Sequence, residues 1–488
     1  MTDLNVKARE IALNINIGKT NELIEQTIDI QVDNEIIEKV ESYIYVGQLI
    51  TLQSDGQTKE IVKSWAAFGR WKEILRTRQG FGPGEQDWAH VNVRPGAYEF
   101  WWLYETTADV QSITEKPLVI WLQGGPGASS TGFGNFAEIG PLDHNKNLRD
   151  YTWVKDVNLL FIDNPVGTGY SYVDSFDSLT TTNKQIADDL ITCLEGFYQK
   201  RPEFRDVPLY ITSESYGGKM AAEFALELDK MIKEGSIRSN LKGVNMIDAW
   251  ISPIDSVLNW APFLLNAGAI DQQGYKAVDA GALHTRELLY AGKYREATDA
   301  WGETEGIIMM VSKNVDFYNI LKKINSYCSR KGRSFIVKPG TPSCSDPVDV
   351  AIEKLMNGEV KQALNLTVEW GALRGPVFDV LSEDFMKPVT HIVERLLNET
   401  TLKVQVVTGQ LDLIVDTPGT IFWIDRLRWS GSKEWPNVQR DAISVDEINE
   451  GYKKILGNFA VYWANRAGHM VPADNPKAMS SILNDLLS

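Results

Sequence analysis

The chain has 488 residues, 43% of them hydrophobic, with 65 acidic against 49 basic side chains and a formal net charge of −16. That is enough apolar material for a large buried core and more than one module, while the acidic balance argues against nucleic acid, whose phosphates select basic faces. Three cysteines are too few for a disulfide scaffold, and without a run of about 18 apolar residues no membrane-spanning helix is expected. An acidic surface serves solubility, or suits a low-pH setting where its carboxylates are partly neutralised.

Residues 1–84 read as an N-terminal extension, rich in Ile, Glu, Asn and Lys. Its stretches Ser42–Leu52 and Ser64–Leu75 resemble the tail of reverse transcriptases from non-long-terminal-repeat retrotransposons, without a polymerase carboxylate motif. The other reading is an ordinary extension with a strand and a helix, and neither brings chemistry. The first ten residues, Met1 to Glu10, lack the apolar centre of a secretory signal. Gly80-Phe-Gly-Pro-Gly84 marks a boundary.

From residue 85 to 488 the pattern is that of one domain. Trp88–Val93 and Tyr98–Tyr104 alternate as paired strands around Pro95-Gly96. Pro117–Leu122 and Asn158–Asp163 are apolar runs expected to be buried strands, and Thr180–Lys200 has the spacing of an amphipathic helix. Val207–Ile211 is a further strand. It leads into a polar turn, Ser213-Glu214-Ser215-Tyr216-Gly217-Gly218, and a helical stretch, Lys219–Lys233. Lys242–Asp248 follows as a strand. Residues of about 254–390 carry helical patterns, Leu283–Trp301 and Val350–Leu364 among them, and read as a cap insertion. Alternation returns with the strands Lys403–Thr408 and Phe459–Trp463 and a closing helix, Lys477–Leu487. Strands alternating with helices predict a mostly parallel sheet covered on both faces.

Strand, sharp turn with a central serine, then helix is the layout of the nucleophile elbow of the α/β-hydrolase fold. Small residues are needed two before and two after the serine; Gly217 meets this, and Ser213 stands where Gly is usual. A serine hydroxyl needs a base. Of the five histidines, His469 alone ends a predicted strand with glycine before it, downstream of Asp412, an acid similarly placed. The order Ser215, Asp412, His469 is that of α/β-hydrolase triads, although Asp412 taken alone also reads as a turn residue. The loop Gln123-Gly-Gly-Pro-Gly127 lacks the Lys-Ser/Thr of a phosphate cradle. It suits an oxyanion hole instead, with Gly125 and Tyr216 N–H as donors. Ser171, in Gly169-Tyr-Ser-Tyr172, is a decoy without the following glycine. No His-Glu-x-x-His or Cys/His cluster exists, so neither metal nor cofactor is expected. Cys328 and Cys344 bracket a loop and could form a disulfide, whereas Cys193, in an apolar helical stretch, reads as a free thiol. Asn365-Leu-Thr and Asn398-Glu-Thr are glycosylation sequons.

Trp121-Leu-Gln-Gly-Gly-Pro-Gly-Ala-Ser-Ser130, Asp163-Asn-Pro-Val-Gly-Thr-Gly-Tyr-Ser171, Glu214-Ser-Tyr-Gly-Gly218 and Gly468-His-Met-Val-Pro472 together resemble serine carboxypeptidases, most of all their retinoid-inducible branch, which shares Ser213. The resemblance runs from about residue 85 to the end. It implies removal of residues from peptide C-termini through an acyl-enzyme, in acidic lysosomal or secreted settings. It further implies that Glu214 and Glu138 share a proton and, with Gln123 and the Gly124 N–H, hold the substrate carboxylate. Gln123 replaces the Asn common in the family, and Ala128 a disulfide Cys. Without the resemblance, Glu138 and Glu214 read as solvated surface acids. An esterase or acyltransferase on the same scaffold and a catalytically silent binding protein are the rival functions. Peptide C-termini are the expected partners, and the oligomeric state stays open.

Overall fold

The computed structural model describes residues 80–322, 347–372 and 375–488 and, before residue 80, the backbone of three strands. These are β1 (Leu13–Ile15), β2 (Ile28–Val32) and β3 (Glu35–Val40), an antiparallel sheet in that order within a compact unit spanning Met1–Thr77. The stretches Ser42–Leu52 and Ser64–Leu75, and Cys328 and Cys344, lie outside the described residues.

The second unit, Arg78–Ser488, is built on an 11-stranded sheet. In chain order its strands are β4 (Gln86–Arg94), β5 (Ala97–Tyr104), β6 (Leu118–Leu122), β7 (Asn158–Asp163), β8 (Tyr172–Val173), β9 (Pro208–Glu214), β10 (Asn240–Ile247), β11 (Lys403–Gly409), β12 (Asp441–Val445), β13 (Ile448–Leu456) and β14 (Phe459–Ala464). They lie side by side as β12-β13-β14-β11-β10-β9-β6-β7-β5-β4, with β8 beside β5. The six from β14 to β7 are mutually parallel, and antiparallel strands flank them at both sides. β6 and β7 are buried at every residue, which is why they appear in the sequence as unbroken apolar runs rather than alternating ones. The fold is an α/β-hydrolase fold.

Helices seal both faces. On one, Ile186, Leu190, Leu194 and Phe197 of helix Asn183–Lys200 join Trp101, Ile120 and Ile211 in a single core. On the other, Ile482 and Leu486 of the closing helix Pro476–Leu487 join Trp102, Trp121 and Phe136. The register places Ile247 opposite both Glu214 and Val407, and Gly409 opposite Ala464, so β9, β10, β11 and β14 finish along one edge. Loops leaving such an edge are where open α/β sheets bind ligands.

Between β10 and β11 the described residues are helical, with Pro253–Asn266, Gln272–Tyr290, Tyr294–Ser312, Pro347–Leu355, Gly375–Phe385 and Thr390–Glu399 as the main helices. Both stretches expected to be helical are so, each with an interruption. Leu283–Trp301 is not one helix: the chain breaks at Gly292, whose φ of +74° ends the first helix, and restarts at Tyr294. Val350–Leu364 is an α-helix to Leu355 that widens into a π-type turn over Met356–Val360. The hairpin β12–β13 escaped the sequence reading because its outer strand is mostly exposed and carries little alternation. Its turn residues Asp446 and Glu447 both have positive φ, the geometry of a type I′ turn built without the usual glycine. No described helix is long and apolar enough to cross a membrane.

Candidate active site

β9 runs on through Thr212, Ser213 and Glu214, three residues further than the apolar run suggests, and leaves Ser215 at the corner before helix Gly217–Lys233. Ser215 has φ +62°, a left-handed conformation that a non-glycine residue adopts only when its surroundings hold it there. They do: its N–H donates to Ile247 O at 3.0 Å, and its carbonyl accepts from Gly218 and Trp250 N–H, both at 2.9 Å. A Cβ at Gly217 would stand 2.4 Å from Leu122 O, so only glycine fits two residues on. Two residues before, buried Ser213 donates its hydroxyl to Asn245 O at 3.2 Å, so a small side chain is accommodated there.

His469 follows β14 and Asp412 follows β11. Their side chains meet with Nδ1 2.7 Å from Asp412 Oδ2, and both are buried. The two loops are tied together, Leu411 N–H to Ala467 O at 2.7 Å, and His469 N–H donates to Tyr318 O at 2.7 Å. The Tyr318 ring stands edge-on to the imidazole at 5.1 Å. An imidazole held at Nδ1 by a carboxylate is free to take a proton at Nε2. His469 Nε2 is buried and has no hydrogen-bond partner among the described residues. Nucleophile–base links are commonly long before substrate arrives and tighten in the complex.

The loop after β6 meets the same corner. A Cβ on Gly124 would lie 2.5 Å from Ser215 Cβ and 2.8 Å from both Glu214 O and Tyr216 N. Gly124 is therefore seated directly against the serine, and Gly125 follows it in the loop. Gln123 is fixed on all sides: its N–H donates to Ser130 Oγ, its Oε1 accepts from Trp121 Nε1 at 2.7 Å, and its Nε2 donates to Glu138 Oε1 at 3.1 Å and Glu214 Oε1 at 2.7 Å. Glu138 lies on a wide π-type helix, Ser130–Ile139.

Glu138 and Glu214 are only 3% and 2% exposed, which overturns the surface reading of these two acids. Their carboxyls interact with one another, and two carboxyls do so favourably only through a shared proton. Burial raises Glu138 to about 7, against the opposing pull of hydrogen bonds from Glu214 and Gln123. Burial, followed by the charge of Glu138, pushes Glu214 well above the ordinary carboxyl range.

Other expectations have simpler outcomes. Ser171 Oγ accepts from Phe100 N–H and donates to Asp163 O, a structural role away from the corner. Cys193 is a buried free thiol. Asn365 and Asn398 are both exposed, but the Asn398 amide already bonds Glu394 O, Arg428 O and Ser430 N–H. Two groups went unnoticed in the sequence. Asp248 follows β10 as Asp412 follows β11, and that placement is the available signal. Lys219, in the first turn after the serine, is wholly buried against Asp384, a pairing no local pattern announces.

The sequence matches the serine carboxypeptidase family over residues 79–488. It is 44% identical over 402 residues to the retinoid-inducible serine carboxypeptidase of Rattus norvegicus and 43% identical to that of Homo sapiens, in each case covering 80% of this chain and 89% of the relative. It is 36% identical to serine carboxypeptidase-like 51 of Arabidopsis thaliana, over 83% of this chain and 92% of that one. Among solved structures, a prohormone-processing carboxypeptidase from Saccharomyces cerevisiae superposes with a TM-score of 0.71 at 22% identity, over 83% of this chain and 91% of that one. The chain belongs to the serine carboxypeptidase family and is a serine-type carboxypeptidase.

Proposed function

We propose that the family's reaction is carried out in this chain by Ser215, His469 and Asp412, on peptides held by their free C-terminal carboxylate. Ser215 Oγ attacks the carbonyl of the last peptide bond while His469 Nε2 takes its proton. Asp412 keeps the imidazole in the tautomer with a proton on Nδ1 and balances the imidazolium that forms. Gly125 and Tyr216 N–H receive the oxyanion. When the intermediate collapses, His469 returns the proton to the departing amine, and the C-terminal residue leaves. Water, activated by the same imidazole, then frees the acylated Ser215.

The observation that carries this reading is the continuity of the two carboxyl groups with the corner. Glu214 is covalently next to Ser215, and Glu138 lies near enough to His469 to feel its charge. A pair that keeps a proton can donate to a substrate carboxylate, which two ionised acids would repel. Gln123 and the Gly124 N–H complete that clamp. From the same pair we infer an acidic working pH and, with the family, a lysosomal or secreted location. Asn365, exposed after a short helix, is the better glycosylation candidate of the two sequons.

The test uses the full chain. A fluorophosphonate should label the wild type and not Ser215→Ala, whose turnover should fall on the order of a million-fold. A peptide with a free C-terminus should be cleaved and its C-terminal amide left intact. Labelling of Ser215→Ala would remove the serine from its role, and equal cleavage of the amide would make the enzyme an esterase-like hydrolase without a carboxylate clamp.

A further inference from the structure

A third buried acid stands behind the proposed triad. Asp248 closes β10, the strand between those that deliver Ser215 and Asp412. It is fully buried with φ +40°, its N–H donates to Val407 O at 2.8 Å, and its Oδ1 accepts Gly409 N–H at 2.9 Å. Asp248, Asp412 and His469 each bring one polar atom within 4.8 Å of the others. Asp248 Oδ2 is buried and makes no hydrogen bond among the described residues, while the Thr408 hydroxyl and Gly409 N–H bear on this carboxyl. Asp412 already receives the imidazole at Oδ2 and Val415 N–H at Oδ1. Two full charges at this spacing in a buried site repel strongly, and one proton between them converts the repulsion into a hydrogen bond.

We propose that Asp248 is a positioning residue that works as a neutral carboxylic acid, donating from Oδ2 to Asp412 so that a damped negative charge faces His469. The proposal rests on the triad reading given above. The groups around Asp248 agree with it. Asp412, the Thr408 hydroxyl and the Gly409 N–H face it from β11 and the loop that follows, Glu214 lies beside it at the end of β9, and Asp416 neighbours Asp412. Burial and then the charge of Asp412 push Asp248 well above the usual carboxyl range.

The consequence lies at the acid limb of turnover. The imidazole must be uncharged to accept the Ser215 proton. A carboxylate stripped of other donors grips an imidazolium harder, so turnover would be lost at a higher pH. A hydrogen bond from Asp248 spreads the charge of Asp412 and lets turnover persist into the acid range.

The pH profile of kcat/KM decides. Asp248→Ala should move the acid limb up by about one pH unit and lower kcat. Asp248→Asn, which can give an amide N–H to Asp412 and its oxygen to Gly409 N–H, should restore the wild-type limb. A limb displaced downward in Asp248→Asn would mean that the native residue is charged and would overturn the proposal. So would an unmoved limb in Asp248→Ala. Should that variant not fold, the Asn variant decides alone. Fluorophosphonate labelling of the wild type is independent of these profiles: a failure here with labelling intact leaves the triad standing, whereas absent labelling removes the triad itself.

Discussion

Lys219→Met tests whether the helices between β10 and β11 hold the proposed catalytic corner in place. Lys219 sits in the first turn after Ser215, where the positive end of a helix disfavours a cation, and its side chain is 0% exposed. Its Nζ donates to Asp384 O at 2.6 Å and Oδ2 at 2.9 Å, and Tyr216 OH donates to the same Oδ2 at 2.9 Å. Asp384 belongs to the cap helix Gly375–Phe385, whose Phe385 ring stacks on Tyr216 at 6.0 Å. Burial holds the Lys219 ammonium below its usual range even with Asp384 beside it, so desolvation outweighs the pairing. A pair of this kind adds little net stability, but removing one member strands the other's charge at a cost of about 3–5 kcal/mol. Methionine keeps the length and apolar packing of the lysine stem, which isolates the lost charge. We expect an apparent Tm lower by about 5 °C or more and kcat down on the order of tenfold, because the Tyr216 N–H loses its brace. Lys219→Met/Asp384→Leu, which removes both charges, should recover most of the Tm. Melting and kcat both within error of wild type, or a double variant worse than the sum of the singles, would refute the brace.

Gly124→Ala should be nearly inactive. Its Cβ would press on Ser215 Cβ and on the backbone at Glu214 O and Tyr216 N, none of which can swing aside. A kcat loss on the order of a hundredfold or more is expected, read with a peptide substrate, and a variant within threefold of wild type would show the corner to be softer than drawn. Stability should be higher in acid than at neutral pH. Burial raises Glu99, Glu138, Asp163, Glu214, Asp248 and Asp416 above their ordinary values. Each folded value therefore exceeds the unfolded one, so the stability these groups contribute is complete below about pH 4 and fades as the pH climbs through the folded values, about 7 for Glu138. The Tm at pH 4.5 should exceed that at pH 8 by on the order of 5 °C, and a higher Tm at pH 8 would contradict the raised values of these buried acids.

What could be read from the sequence was whatever sits within a few residues of a strand end. Ser215, Asp412 and His469 each follow an apolar run that declares itself, and their order along the chain fixed the candidate set. Glu138 could not be found that way, because it lies on a wide helical turn with no strand before it; only the likeness to a family singled it out. Asp248 had the same local signal as Asp412 and was passed over. Its meaning depends on β10 lying between β9 and β11, and lateral order in a sheet is set by long-range packing rather than by local pattern. Lys219 and Asp384 are 165 residues apart, so no local pattern pairs them. Gly292 could have been read as a helix end, but the apolar spacing on either side happens to continue in phase across it.

The proposed clamp explains why the acids gather here. A guanidinium would bind a substrate carboxylate at any working pH, and would bind the released amino acid and the shortened peptide equally well. A carboxyl pair binds only while it holds a proton, so substrate affinity and the proton count are one quantity. Raising the pH strips that proton, so KM should climb with pH. The second acid pair, Asp248 with Asp412, extends this logic to the other limb by keeping the base available as protons become plentiful. On this proposal one buried proton opens the site to substrate and another keeps its base working. Both depend on the same physical fact, that carboxyls crowded at the end of a parallel sheet and shut off from water cannot all be charged.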